Sequence, residues 1–78
     1  MLLVSKDEDI IVNMDHVALT IEEDGAIWQI LATPYCDLSS YLMNEYYGEG
    51  EARIELSYVL RAYQLKDNVY YFGGTERC

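Results

Sequence analysis

The chain is poor in the residues that build most catalytic centres. Its 78 residues hold one histidine, two cysteines and one proline. His16 stands beside Asp15, the pairing of a carboxylate-held general base, but no motif sets a serine or cysteine nucleophile next to it. There is no G-x-G-x-x-G, no phosphate-binding loop and no nucleophile elbow. His16, Cys36 and Cys78 lack zinc-ligand spacing. Asp7, Glu8 and Asp9 lack the alternating oxygens and central glycine of a calcium loop. The expectation is therefore a protein that is not an enzyme and holds no metal or cofactor.

Positive charge is scarce too. Five Lys+Arg face 14 Asp+Glu, for a formal net charge of −9. Phosphate backbones need cations opposite them, so direct nucleic-acid binding is not expected. No apolar run nears the ~18 residues that span a bilayer. The start lacks the basic region, long apolar core and cleavage site of a secretory signal. Two free thiols in a reducing cytoplasm is the expected state, since a Cys36–Cys78 bridge would have to tie down the last residue.

What is present is apolar and acidic. Hydrophobic residues make up 51% of the chain, too many for a disordered tail. Eight tyrosines offer large rings that bury area at low entropy cost. The charge is segregated. Residues 1–51 carry eleven acids and one base; residues 52–78 carry three acids and four bases. Asp7-Glu8-Asp9 and Glu22-Glu23-Asp24 form dense clusters where turns are expected. Such clusters solubilise turns, or they engage a basic partner.

Periodicity gives the elements. Ile10-Ile11-Val12 reads as strand, and Asn13-Met14-Asp15 as a bend. Residues 16–21 alternate, with Val17, Leu19 and Ile21 on one face. Asp24-Gly25 predicts a hairpin turn into a strand over 26–33 that Pro34 ends. Residues 41–47 fit a strand, or a helix capped by Asp37 or Ser39. Glu51–Leu65 predicts a helix with Ala52, Leu56, Val59, Leu60 and Tyr63 on one stripe. Glu49 and Glu51 suit its N-terminus and Lys66 its C-terminus. Ile54, Tyr58, Ala62 and Leu65 form a second apolar strip, a candidate for self-association. Residues 69–72 predict a last strand, and Gly73-Gly74 releases a short tail, 73–78, from a single domain over 1–72.

The order Leu2-Leu3-Val4-Ser5, Ile11-Val12-Asn13-Met14-Asp15, Tyr46 six residues before Ala52, Leu56, Val59-Leu60 and Val69-Tyr70 resembles a family of small uncharacterised proteins of phages and mobile elements from Gram-positive bacteria. The likeness spans most of residues 1–72. It implies strands, a tyrosine, a turn, a Glu-rich helix start, an amphipathic helix and a short last strand. It also implies an extended segment before the tyrosine, which favours strand for 41–47, and a bacterial host cytoplasm. Gly50 in the helix start and the aromatic-rich end depart from the family pattern.

The expected fold is α+β: an antiparallel sheet of four to five strands with one amphipathic helix across one face, in the order β-β-β-β-α-β. The expected function is a non-enzymatic, acidic, protein-binding domain. Asp7, Glu8, Asp9, Glu22, Glu23, Asp24, Glu45, Tyr47, Glu49 and Glu51 would form its acidic and aromatic surface for a basic host protein. Imitation of nucleic-acid charge, to block a defence or nucleic-acid-handling protein, is one form this takes. A self-associating accessory module, here a homodimer, and a small-ligand carrier or minor enzyme are the alternatives.

Overall fold

The computed structural model describes residues 1–36 and 38–73. Asp37, one of the two caps considered for a helical 41–47, lies outside the described residues, as do the proposed tail beyond Gly73 and any Cys36–Cys78 bridge.

Six strands and one long helix follow in the order β1 (Leu2–Val4), β2 (Ile11–Asn13), β3 (Val17–Asp24), β4 (Ile27–Pro34), β5 (Tyr41–Tyr46), α1 (Glu49–Gln64) and β6 (Val69–Tyr71). The class is α+β as expected, with residues 41–46 extended. The single antiparallel sheet is not formed, and five strands rather than four precede the helix. Instead the strands divide into two three-stranded sheets, β2-β1-β6 and β3-β4-β5. The break falls at the bend. Asn13 Oδ1 accepts from the Asp15 amide at 3.0 Å and starts a 3-10 turn over Met14–His16. That turn carries the chain out of one sheet and into the other.

The first sheet is built around the N-terminal strand. β1 pairs antiparallel with β2 and parallel with β6. Parallel neighbours require a long crossover, and here the crossover is everything from β2 through α1. Main-chain bonds from Leu2 N to Asn68 O (2.8 Å) and from Phe72 N to Val4 O (3.0 Å) continue the β1–β6 seam past both strand ends.

In the second sheet, β3 and β4 pair along their whole length around Gly25-Ala26. The two turn residues are Gly25-Ala26, with Gly25 at φ +62°, one residue later than the predicted Asp24-Gly25 pair. β4 and β5 pair with a register shift beside Ile30/Leu31. Ile30 opposes Asn44 and Leu31 opposes Leu42, which leaves Met43 as a bulge. A bulge lets consecutive side chains turn inward, and Met43 and Asn44 are both buried.

α1 packs across all three strands of the second sheet. Its buried residues are Ala52, Glu55, Val59 and Ala62. The expected stripe is thus rotated. Leu60 and Tyr63 stay exposed, Leu56 is half-buried, and Ala62 moves from the proposed outer strip into the core face. Leu3, Ile30, Ala32, Met43, Tyr46 and Phe72 complete one core shared by both sheets and the helix.

The helix ends in a Schellman motif. Asp67 N donates to Ala62 O at 3.0 Å and Lys66 N to Tyr63 O at 3.1 Å. Lys66 occupies the left-handed position, φ +61°, that glycine usually fills. A side chain there costs about 1–2 kcal/mol, partly offset by a stiffer unfolded chain. Lys66→Gly should therefore raise stability by about 0.5–1 kcal/mol, seen as a higher Tm in a thermal melt. A lower Tm would contradict this account of the helix end.

Candidate functional site

Two adjoining clefts run beside β5. The first, about 390 Å³, lies between the β1–β2 loop and β5 and is lined by Asp7, Asp9, Glu45 and Tyr47, with Lys6 and Ile27. The second, about 340 Å³, shares Lys6, Glu45 and Tyr47 and adds Glu51, Ile54 and Tyr58 from α1. Alternation along β5 builds the ridge between them. Tyr46 turns into the core while Glu45 and Tyr47 face out, Tyr47 at 87% exposure.

The β1–β2 loop is held in shape by its own polar groups. Ser5 is buried; its Oγ donates to Asp9 Oδ1 at 2.8 Å and accepts from the Ile10 amide at 3.2 Å. The Lys6 amide donates to Met43 O at 2.9 Å, which docks the loop on the bulge of β5. Asp7 and Asp9 are thereby brought beside Glu45.

The proposed surface residues divide. Asp7, Asp9, Glu45, Tyr47 and Glu51 converge on the clefts. Glu22 opposes Gln29, which opposes Glu45, so these three form one row across the sheet. Glu22 and Glu45 are two strands apart, about 10 Å. Glu23 and Asp24 stand exposed at the hairpin tip, and Glu8 sits at the loop apex with φ +61°. Glu49 is half-buried and bound to Arg53, its carboxylate accepting at 2.9 and 2.7 Å. The second apolar strip also divides: Ile54 and Tyr58 border a cleft, Leu65 is exposed at the helix end, and Ala62 is buried.

Beneath the second cleft lies a polar cluster that the sequence reading passed over. The Glu55 carboxylate is buried on α1. Its Oε1 accepts from Tyr46 Oη at 3.0 Å, Asn44 Nδ2 at 3.2 Å and the Gly73 amide at 3.0 Å. Its Oε2 accepts from Tyr70 Oη. Asn44 Oδ1 in turn accepts from the Glu45 amide at 2.8 Å. No buried side-chain nitrogen or oxygen among the described residues lacks a partner. One signal was available: Glu55 stands three residues after Ala52 and four before Val59, on the buried face.

His16 is exposed on the 3-10 turn and Cys36 is exposed after β4; neither lines the two clefts. Among the described residues, no group of three or more His, Cys, Asp or Glu is arranged to hold a metal. No described helix is long and apolar enough to cross a membrane. No family model, curated protein or solved structure matches the chain.

Burial pushes the Tyr46 and Tyr70 phenols well above their usual range, and the charge on Glu55 and the hydrogen bonds to it push the same way. Tyr63 is raised by its bond to Asp15 across the surface. A tyrosine raised on folding stabilises the protein below its unfolded pKa, about 10. That contribution is lost as pH climbs above 10. In an alkaline titration followed at 295 nm, Tyr46 and Tyr70 should ionise only as the fold melts. Full ionisation of all eight tyrosines near pH 10 with far-UV circular dichroism intact would contradict this. Removing the shared acceptor strands several buried donors, so Glu55→Ala should cost about 3 kcal/mol or more in a urea melt.

Proposed function

We propose that this chain is a non-enzymatic acidic binding domain that engages a Lys/Arg-rich surface of a partner protein through the paired clefts around Tyr47. The observation that carries the reading is convergence. Five of the acidic and aromatic residues, distant in sequence, line two adjoining hollows on a surface of high negative charge. Tyr47 supplies a rigid aromatic anchor with a polar tip, a residue type that interface centres favour. The surrounding carboxylates steer a cationic partner and set its register. In a bacterial host, a basic cleft that normally holds nucleic acid has the matching chemistry, and an inhibitor of a defence or nucleic-acid-handling protein is the form of the proposal with the clearest physical mechanism.

The test pairs a charge variant with a salt series. The quadruple variant Asp7→Asn, Asp9→Asn, Glu45→Gln, Glu51→Gln keeps side-chain size and removes four charges. Capture of host proteins by the parent chain should fall by about tenfold or more between low and high salt. The variant should lose the same proteins at low salt. Identical capture by both chains at every salt concentration would refute the proposal.

Exposure of Ile54, Tyr58 and Leu65 on α1 supports a second reading, self-association through the helix. Under it the chain sediments as a dimer at micromolar concentration, and Tyr58→Glu yields monomer. A monomeric parent chain would eliminate it.

A further inference from the structure

On the opposite flank of the second sheet, β3 is a terminal strand whose ladder partner is β4. Beside it, between β3 and α1, runs a groove of about 510 Å³. Its walls include Val17, Ala18 and Leu19 from β3, Leu56 and Leu60 from α1, and Tyr35. Successive side chains on a strand face opposite ways. An opening that touches three in a row therefore lies along the strand's edge. Leu60 is 53% exposed and Tyr35 74% exposed at its rim.

Edge strands are normally blunted by lysine, proline, a bulge or a cover. The other edge of this sheet follows that rule: β5 has the Met43 bulge and receives the Lys6 amide. β3 has neither device. Val17–Ile21 is an uncharged run without proline or bulge, paired in regular register with β4. Beyond it the same strand continues into Glu22-Glu23-Asp24.

We propose that β3 accepts an extended segment of a partner protein by strand addition. Its alternate apolar side chains would fill the groove beside Val17–Leu19, and Lys or Arg at one end would lie along Glu22–Asp24. Strand addition draws affinity from main-chain hydrogen bonds and specificity from pockets for alternate side chains. The groove supplies the pockets, and the acidic end of β3 fixes which end of the ligand is basic. Arg53, the charged residue on the groove wall, is already occupied by Glu49. A second copy is a poor occupant. Antiparallel pairing along the whole strand sets Glu22 and Glu23 of one copy over Leu19 and Ala18 of the other. Pairing restricted to Val17–Ile21 sets Glu23 against Asp15. The site is separate from the clefts around Tyr47 and does not depend on their function.

A displayed library of linear twelve-residue peptides, selected on the full chain, tests the proposal. Enriched peptides should alternate apolar residues and carry Lys or Arg at one end. A synthetic copy with backbone N-methyl groups at alternate positions should bind about tenfold or more weakly in one register and near-normally in the other. Leu60→Asp, an exposed change, should weaken binding similarly. Glu22→Gln with Glu23→Gln should weaken it and flatten its salt dependence. The quadruple cleft variant should bind the peptide as the parent does, so failure of the cleft reading and of this one are distinguishable. No enrichment, peptides indifferent to N-methylation or to Leu60→Asp, or a dimer in which β3 amides are protected from exchange would overturn the proposal.

Discussion

A single buried carboxylate holds the parts of this molecule together. Glu55 projects from α1 and receives hydrogen bonds from β5 through Asn44 and Tyr46, from β6 through Tyr70, and from the main chain of Gly73. Those donors come from both sheets. An unpaired buried carboxylate would be severely destabilising; with four donors around it, the same group becomes a specific link. The link also restricts register. Sliding α1 along the sheet would strand two phenols and an amide. Hydrophobic contacts are non-directional, so Ala52, Val59 and Phe72 cannot impose that restriction alone.

The cluster bears directly on the candidate site. Asn44 and Tyr46 point inward from β5, and the alternation that buries Tyr46 displays Glu45 and Tyr47 outward. The Met43 bulge buries Asn44 and offers its carbonyl to Lys6, which sets the Asp7–Asp9 loop beside Glu45. Buried order along β5 thus fixes the acidic clefts that adjoin it. Ten acids in excess over residues 1–51 would spread over a less ordered chain; here five residues of the acidic, tyrosine-bearing set share one surface.

Much of the fold was legible because it follows from local rules. The β3–β4 hairpin was marked by alternation and Asp24-Gly25, and α1 by its periodicity and its acidic first turn. The α+β class followed from those elements. The division into two sheets was not legible, since Asn13-Met14-Asp15 announces a bend but not which sheet the chain enters next. The parallel β1–β6 pairing was equally hidden, because it joins opposite ends of the described chain. The helix face was misjudged by one position: Leu56 is the more apolar residue, yet Glu55 takes the buried place. Composition argues for the first choice; donors from Asn44, Tyr46, Tyr70 and Gly73, distant in sequence, decide for the second. The acidic residues of the clefts were identifiable by type. Their grouping was not, and neither were the supporting roles of Ser5, Lys6 and Asn44.

The account stands on Glu55 tying the end of the described chain to the helix. Native-state hydrogen exchange at the Gly73 amide measures that directly. The account predicts protection comparable to that of Val59 in the centre of α1, lost selectively at Gly73 when Glu55 becomes alanine. Exchange at Gly73 as fast as in an open loop, in the unmodified chain, would contradict it.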